Sequence, residues 1–335
     1  MTPSALAPQR RILLTGGSSG IGLEAAARLL AAGHQLTLPC RDAGSIDRVR
    51  RRLGDAVRTP RCDLADLTSV MACCEALLEA AEPIDTLVLN AGMQYSGARE
   101  PCWSAQGYER TVAVNHLAHQ AMAQRLLPLL QRGVTPRLVV TASQVHDPAS
   151  PGGRVGRPAG LGDLAGLRQG AGAPMLAGGE RFDAEKAYKD SKLCNLLMAR
   201  ELDRRLRRQG IALPVVAWSP GLVIPRTAGG FFRESRRINP VGQALFALVA
   251  RDLLRLTETP QRAGALLAGL AADPLAETTG FQYWSNEVLG PGRLRFEVCQ
   301  PSAEARDDGL AERLWTLSAV ALGLSPECGL EPLPG

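Results

Sequence analysis

The stretch RILLTGGSSGIGLEAAARLLAAG, residues 11–33, restricts the possible folds more than any other. A short apolar run breaks into a glycine turn and resumes as an alanine- and leucine-rich segment with helical spacing. RILLT (11–15) reads as a buried parallel strand, and the segment ending at Gly33 reads as a helix. Glycines let the main chain approach a phosphate, and a helix N-terminus offers free N–H groups and a partial positive charge. The spacing is TGxxxGxG, with Thr15, Gly16, Gly20 and Gly22. Gly16, Ser18, Ser19, Gly20, Ile21 and Gly22 are therefore candidate contacts of a dinucleotide.

The same strand–helix alternation continues downstream. QLTLPCRD (35–42) is a second strand with Arg41 and Asp42 at its end. An acidic residue there suits the ribose hydroxyls of NAD, whereas arginine accommodates the extra phosphate of NADP. Arg41 comes first, which favours NADPH. VRTPRCDL (57–64) is read as a third strand, with Asp63 and Leu64 at its tip beside the adenine. LADLTSVMACCEALLEAA (64–81) is an amphipathic helix. DTLVLNAG (85–92) is a fourth strand, whose turn Asn90-Ala91-Gly92 is expected beneath the nicotinamide ribose. A helix is expected from about Ser104 to Gln131, with Asn115 in its middle, where propensity disfavours asparagine. His116 and His119 lack metal-spaced partners and are read as packing or surface residues. RLVVTAS (137–143) ends at Ser143, where a strand's carboxyl end faces a ligand crevice.

Residues 147–183 form a Gly-, Pro- and Ala-rich insert, too long for an ordinary connection and read as a lid or flexible loop. FDAEKAYKDSKLCNLLMAR (182–200) then places Tyr188 and Lys192 four residues apart, on one face of a helix. A free phenol has a pKa near 10, and a cation one turn away favours the phenolate. Tyr188 and Lys192 are a candidate acid/base pair. ALPVVAW (212–218) is a sixth strand, followed by Ser219-Pro220-Gly221. The remainder reads as helical, interrupted by one short strand, GFQYW (280–284). The fold class is α/β: a Rossmann-like doubly wound parallel sheet with helices on both faces, in a single domain over residues 1–335. Within it, 10–225 form the core and 226–335 a substrate-covering helical part.

Hydrophobic content of 45% with 21% charge provides for a full core. The net charge of +5 sits in arginine runs without interleaved aromatics, which argues for solvated helix faces and against nucleic-acid binding. The eight cysteines (Cys40, Cys62, Cys73, Cys74, Cys102, Cys194, Cys299, Cys328) are scattered without CxxC pairs, as expected of reduced thiols and not of a disulfide framework or metal site. No secretion signal or membrane-spanning stretch is recognisable. A cytoplasmic, bacterial setting is expected, with weak peripheral membrane contact and homo-oligomerisation left open.

Together, TGxxxGIG, Asn90-Ala91-Gly92, Asn115, Ser143, Tyr188-x3-Lys192 and Pro220-Gly221 resemble a short-chain dehydrogenase/reductase. Within that superfamily NHLAHQ, LGDLAGL (161–167), AYKDSKLCN (187–195), the long insert and the ending ERLWTLS…LGL are similar to the light-dependent protochlorophyllide oxidoreductases. The resemblance implies NADPH as hydride donor and a tetrapyrrole whose ring D double bond is reduced after light absorption. It implies that Tyr188 donates or orients the proton, and that Lys192 lowers the phenol's pKa and holds the nicotinamide ribose. Asn115 would support a water-linked proton path, Ser143 would line the crevice, and Pro220 and Gly221 would contact the cofactor. One departure is plain: the family carries a cysteine directly after the Pro-Gly turn, and here the residue is Leu222. Pro225 likewise replaces a common threonine, and Cys194 faces elsewhere on its helix. A light-independent dehydrogenase acting on a bulky apolar alcohol or ketone, retinoid- or steroid-like, is the alternative. A pigment carrier or sensor without turnover is the third reading. Trp284 and Trp315 are read as packing residues.

Overall fold

A computed structural model describes residues 8–179, 181–226, 230–275, 280–327 and 329–330. Cys328 and residues 227–229, after the Pro-Gly turn, lie outside the described residues. One seven-stranded sheet organises the chain: β1 (Arg11–Leu14), β2 (Gln35–Thr37), β3 (Thr86–Leu89), β4 (Arg137–Thr141), β5 (Val215–Ser219), β6 (Phe281–Gly290) and β7 (Arg293–Val298). Their order is β2-β1-β3-β4-β5-β6-β7, parallel except for the antiparallel β6–β7 pair. The helices are α1 (Gly20–Ala31), α2 (Ala43–Leu53), α3 (Leu67–Ala80), α4 (Arg110–Val112), α5 (Ala118–Gln131), α6 (Ala165–Gln169) and α7 (Ala184–Arg208). After β5 come α8 (Arg233–Ile238), α9 (Pro240–Ala247), α10 (Pro260–Ala272) and α11 (Asp308–Ala321).

Strand periodicity distributes the core between the two faces of the sheet. Leu13, Leu87, Leu89, Leu138, Val140, Val215 and Ala217 point to the layer containing α3, α5, α7 and α11. Ile12, Leu14, Val88, Val139, Val216 and Trp218 point the other way, onto α1 and α10. Trp315 is fully buried against the first layer, and Trp284 stacks on Phe296 at 5.2 Å.

Four elements differ from expectation. Residues 57–64 do not form a full strand: they touch the β2 segment through isolated bridges, Thr37 with Arg58 and Cys40 with Arg61. Pro39 and Pro60 each remove an amide donor, and the ladder breaks there. The helix expected from Ser104 begins at Arg110, because Glu109 caps it through Thr111 N and Val112 N at 2.8 and 2.9 Å. The part after β5 is not helical with one short strand: β6 runs on to Gly290 and turns back as β7, extending the sheet. As the sheet's edge, β7 packs one face only, so its RLRFEV sequence lacks a continuous apolar run.

The insert is packed, not loose. Leu161, Leu164, Leu167 and Leu176 enter the core, and Met175 is also buried. One face of α7 fastens it: Lys189 Nζ donates to the carbonyls of Gly153, Val155 and Arg157 at 3.0, 2.5 and 2.9 Å. Asp190 accepts from Gly160 N at 2.9 Å and from Lys186 Nζ at 2.6 Å. The one buried ammonium thus ties together three carbonyls of the insert. Replacing Lys189 by Met should cost about 2–3 kcal/mol, the penalty of unsatisfied buried groups. Limited trypsin digestion checks this: Lys189→Met should be cut after Arg154 or Arg157 while the wild type resists.

Candidate active site

The chain reverses its direction of winding between β1 and β3, and at such a switch point the strand ends open a crevice. Buried hydrogen bonds hold it. Asn90 Nδ2 donates to Thr15 O at 3.1 Å, and Asn90 Oδ1 accepts from Thr141 Oγ1 at 3.1 Å, tying β1 to β4 across β3. Thr15 Oγ1 accepts from the amides of Asn90 and Ala91 at 2.9 and 3.0 Å. Gly16 has φ +73°, and a Cβ there would lie 2.9 Å from Ala91 Cα. A Cβ on Gly22 would lie 2.4 Å from Gly16 O, so glycine is required for α1 to start this close to the turn.

The residues fit a dinucleotide. Gly20 turns at φ +55° with nothing within 4 Å of its missing Cβ, which leaves open space at the start of α1. Ser19, the N-cap, makes no side-chain capping bond, so the first amides of a 12-residue helix keep their donor capacity and dipole for a phosphate. Ser18 and Ile21 flank this opening, partly exposed. Beyond β2, Asp42 is committed elsewhere. Its carboxylate accepts from Ser45 N at 2.8 Å and Ser45 Oγ at 2.8 Å, and pairs with Arg41 at 2.9 Å. Ser45, chiefly, and Arg41 hold that carboxyl well below the usual range. The group presented at the strand end is thus the exposed Arg41 guanidinium. The Cys40–Arg61 bridge brings Asp63 alongside. Asp63 accepts from Ala65 N at 3.0 Å, and Leu64 rests on the core.

The reacting end is built by α7, β4 and the stretch before α5. Lys192 is buried, donates to Thr141 O at 3.1 Å and lies 5.7 Å from the Tyr188 ring centroid. No carboxylate pairs with it among the described residues, and burial pulls its pKa down to about 7. Tyr188 is partly exposed, and Ser143 stands against its hydroxyl. Burial pushes the phenol above its ordinary value, and Ser143 opposes that rise. This reverses the expectation that Lys192 lowers it: the ammonium lies against the ring, and its own charge is half lost near neutrality. A phenol that keeps its proton suits a donor better than a base.

Asn115 sits in a π turn, Ala113–Leu117, an insertion characteristic of functional sites. Its Oδ1 accepts from Met93 N at 2.8 Å, while Nδ2 donates to Met93 O and Ser191 Oγ, both at 3.0 Å. The side chain therefore clamps the 90–93 turn to α7 and does not reach towards Tyr188 itself. A Cβ on Gly92 would lie 3.4 Å from Lys192 Nζ, so this turn runs directly past the cation. Gly221 bends at φ +77°, and Pro220 O accepts from Asn286 Nδ2 at 3.2 Å.

The roof comes from the part expected to cover the substrate, but its aromatic contacts were not legible in the sequence. Phe231 packs on Tyr188 with centroids 5.2 Å apart and on Phe232 at 5.0 Å. Leu222 joins the apolar cluster of Ile224, Phe232, Ala247 and Ala250. Ser96 N donates to Ser235 Oγ at 3.0 Å, fastening α8 to the turn after β3. Beyond it, Val241, Leu245, Phe246, Leu248 and Leu253 are exposed on α9 and the following turn. Neither His116 nor His119 is at the surface; both are buried and held neutral, pulled down to about 3. Away from this site, Glu287, Glu297 and Cys299 bring ligand atoms within 4.8 Å of one another on the β6–β7 hairpin, a grouping hidden by their sequence spacing.

Sheet order, glycine turn and the Ser143–Tyr188–Lys192 set define a short-chain dehydrogenase, and the short chain dehydrogenase family model matches residues 10–155. A structure from Mycobacterium paratuberculosis, a putative uncharacterised protein, superposes with TM-score 0.69 over 98% of this chain and 97% of its own, at 24% identity. The RhlG/NADP active-site complex of Pseudomonas aeruginosa gives 0.60 over 85% and 97%, at 26% identity. Among curated relatives, protochlorophyllide reductase A of rice is 34% identical over 93% of this chain and 80% of its own. Protochlorophyllide reductase of Avena sativa is 34% identical over 94% and 100%. The chain belongs to the protochlorophyllide reductase family of oxidoreductases, a branch of the short-chain dehydrogenases.

Lys192 makes the site pH-sensitive in a defined direction. The unfolded chain holds this proton to about pH 10.4, whereas the folded protein releases it at about 7. Stability should therefore rise with pH across that window. Chemical denaturation at pH 6.5, 8 and 9.5 checks this, and Lys192→Met should flatten the trend. The kcat/KM for reduction should fall as pH rises through about 7, where the free enzyme loses its ammonium.

Proposed function

We propose that the protein reduces the ring D double bond of protochlorophyllide to chlorophyllide, using NADPH and driven by light absorbed by the pigment. What carries the reading is the span of the resemblance. The reductases match over 93–94% of the chain, through the insert and roof as well as the cofactor half. Arg41, with Asp42 occupied, favours the 2′-phosphate of NADPH. Gly16, Ser18, Ser19, Gly20, Ile21 and Gly22 would hold its phosphates, Asp63 and Leu64 the adenine end, and Asn90, Ala91, Gly92, Pro220 and Gly221 the nicotinamide end. When bound, NADPH supplies the hydride. Tyr188 gives the proton, and Ser143 steadies the phenolate that remains. Lys192, when charged, favours that phenolate, while Asn115 keeps the 90–93 turn in register. Phe231 and Phe232 provide an apolar aromatic wall that would exclude water from a tetrapyrrole lying against Tyr188. The exposed apolar row on α9 would make weak peripheral membrane contact or pair with a second copy, and we assign the enzyme to a bacterial cytoplasm.

One observation favours a second reading. Leu222 puts an aliphatic side chain where the family carries a thiol, and it packs into the roof. A light-independent dehydrogenase acting on a bulky apolar alcohol or ketone would keep Ser143, Tyr188 and Lys192 in the same roles.

Purified protein with NADPH and protochlorophyllide, held in darkness, should show a red-shifted pigment band that converts to a chlorophyllide band only after a flash. Binding without conversion, together with conversion by Leu222→Cys, would assign the deficit to the missing thiol. No pigment binding, with turnover of apolar ketones in the dark, would establish the second reading. Phe231→Ala should weaken pigment binding about tenfold, the scale of one lost aromatic contact, while NADPH binding stays within twofold.

A further inference from the structure

His119 stands outside the set that motif spacing identifies, yet it touches both halves of the site. Its ring is fully buried. Nδ1 lies 3.0 Å from the main-chain oxygen of Asn115, and Nε2 lies 3.0 Å from Thr15 Oγ1. A carbonyl oxygen can only accept, so Nδ1 carries the ring proton and Nε2 is a bare acceptor. Thr15 then donates its hydroxyl proton to Nε2; Val88 O, at 3.4 Å, is the more distant alternative. With that proton committed, the lone pairs of Thr15 Oγ1 meet the amides of Asn90 and Ala91 at 2.9 and 3.0 Å. The result is one directed chain of hydrogen bonds, from the turn after β3, through Thr15 and the imidazole, to the π turn that carries Asn115.

Both ends of this chain converge on the same short segment. Asn90 and Ala91 hang from Thr15, and Met93 is held on both its amide and its carbonyl by the Asn115 side chain. Between them runs Gly92, past Lys192 Nζ. We propose that His119 is a positioning residue for the reaction: as a neutral Nδ1–H imidazole it couples the Thr15 end of β1 to the π turn of Asn115 and so sets the placement of the 90–93 turn beneath the reacting end of the cofactor. The proposal rests on the reading of this crevice as the NADPH site. An imidazole offers one donor and one acceptor on opposite flanks of a rigid ring, and an aliphatic side chain offers neither.

Two measurements test it. The first is the 15N spectrum of the imidazoles in the unliganded protein, with His119→Gln assigning the resonances. His119 should show a protonated Nδ1 and an unprotonated Nε2; the opposite tautomer, or an imidazolium, would overturn the link. The second is a double-mutant cycle on NADPH affinity, read by fluorescence titration in the dark. Thr15→Val and His119→Leu should each weaken binding about tenfold, the scale of one buried hydrogen bond. The double variant should lose about tenfold as well, because the first substitution already breaks the chain. Thr15→Ser, which keeps the hydroxyl, should bind within twofold of wild type. A hundredfold loss in the double variant, or a Thr15→Ser as weak as Thr15→Val, would sink the proposal. Should His119→Leu fail to fold, the tautomer and the two Thr15 variants decide the matter. Failure of the wild type to bind NADPH would reject the cofactor reading instead, with the tautomer still testing the link.

Discussion

The structure depends first on the hydrogen bonds that hold the switch point together. Parallel strands that wind in opposite directions from β1 leave a crevice between β1 and β3, and the polar groups at its base are withdrawn from water. Asn90 satisfies them by bridging Thr15 O and Thr141 Oγ1 with a single amide. In a low-dielectric interior a half-satisfied network is worse than none, so these partners stand or fall together. Everything the site needs is referred to this base: the glycine turn leaves from Thr15, the 90–93 turn from Asn90, and Lys192 is held by the carbonyl of Thr141.

Helix α7 then joins chemistry to architecture. One face presents Tyr188 and Lys192 to the crevice, and another carries Lys186, Lys189 and Asp190, which hold the insert by its carbonyls and amide. The insert in turn buries leucines against the same core. Burial pulls both lysines down, but it meets different surroundings on the two faces. Lys189 is buried but surrounded by carbonyl dipoles, whereas Lys192 has one carbonyl and an aromatic ring, so its charge is marginal near neutral pH. That second arrangement costs stability and leaves a cation able to respond to what binds beside it.

The roof completes the enclosure with a different interaction. Phe231 covers Tyr188, and Leu222, Ile224 and Phe232 extend the apolar surface behind it. Such packing is non-directional and tolerates changes of side chain that the hydrogen-bonded base does not. Leu222 falls in this tolerant layer, whereas Tyr188, Lys192, Ser143, Asn90 and Asn115 lie in the directional one.

What the sequence by itself determined was everything encoded at short range. The glycine turn between strand and helix, the four-residue spacing of Tyr188 and Lys192, and the short apolar runs of the buried strands need only near neighbours to be read. The parallel sheet and the main site residues followed from them. Tertiary structure decided the rest. The 57–64 strand broke because two prolines met across the ladder, and β7 formed because a neighbouring edge was free to pair. The insert became core because α7 supplied donors for its carbonyls. The Tyr188 phenol rose because burial outweighed the hydrogen bond from Ser143. His119 acquired its part because a π turn brought Asn115 O to one ring nitrogen and Thr15, 104 residues away in sequence, to the other. Desolvation and long-range hydrogen bonding depend on which distant segments come together, and a local pattern carries no record of that.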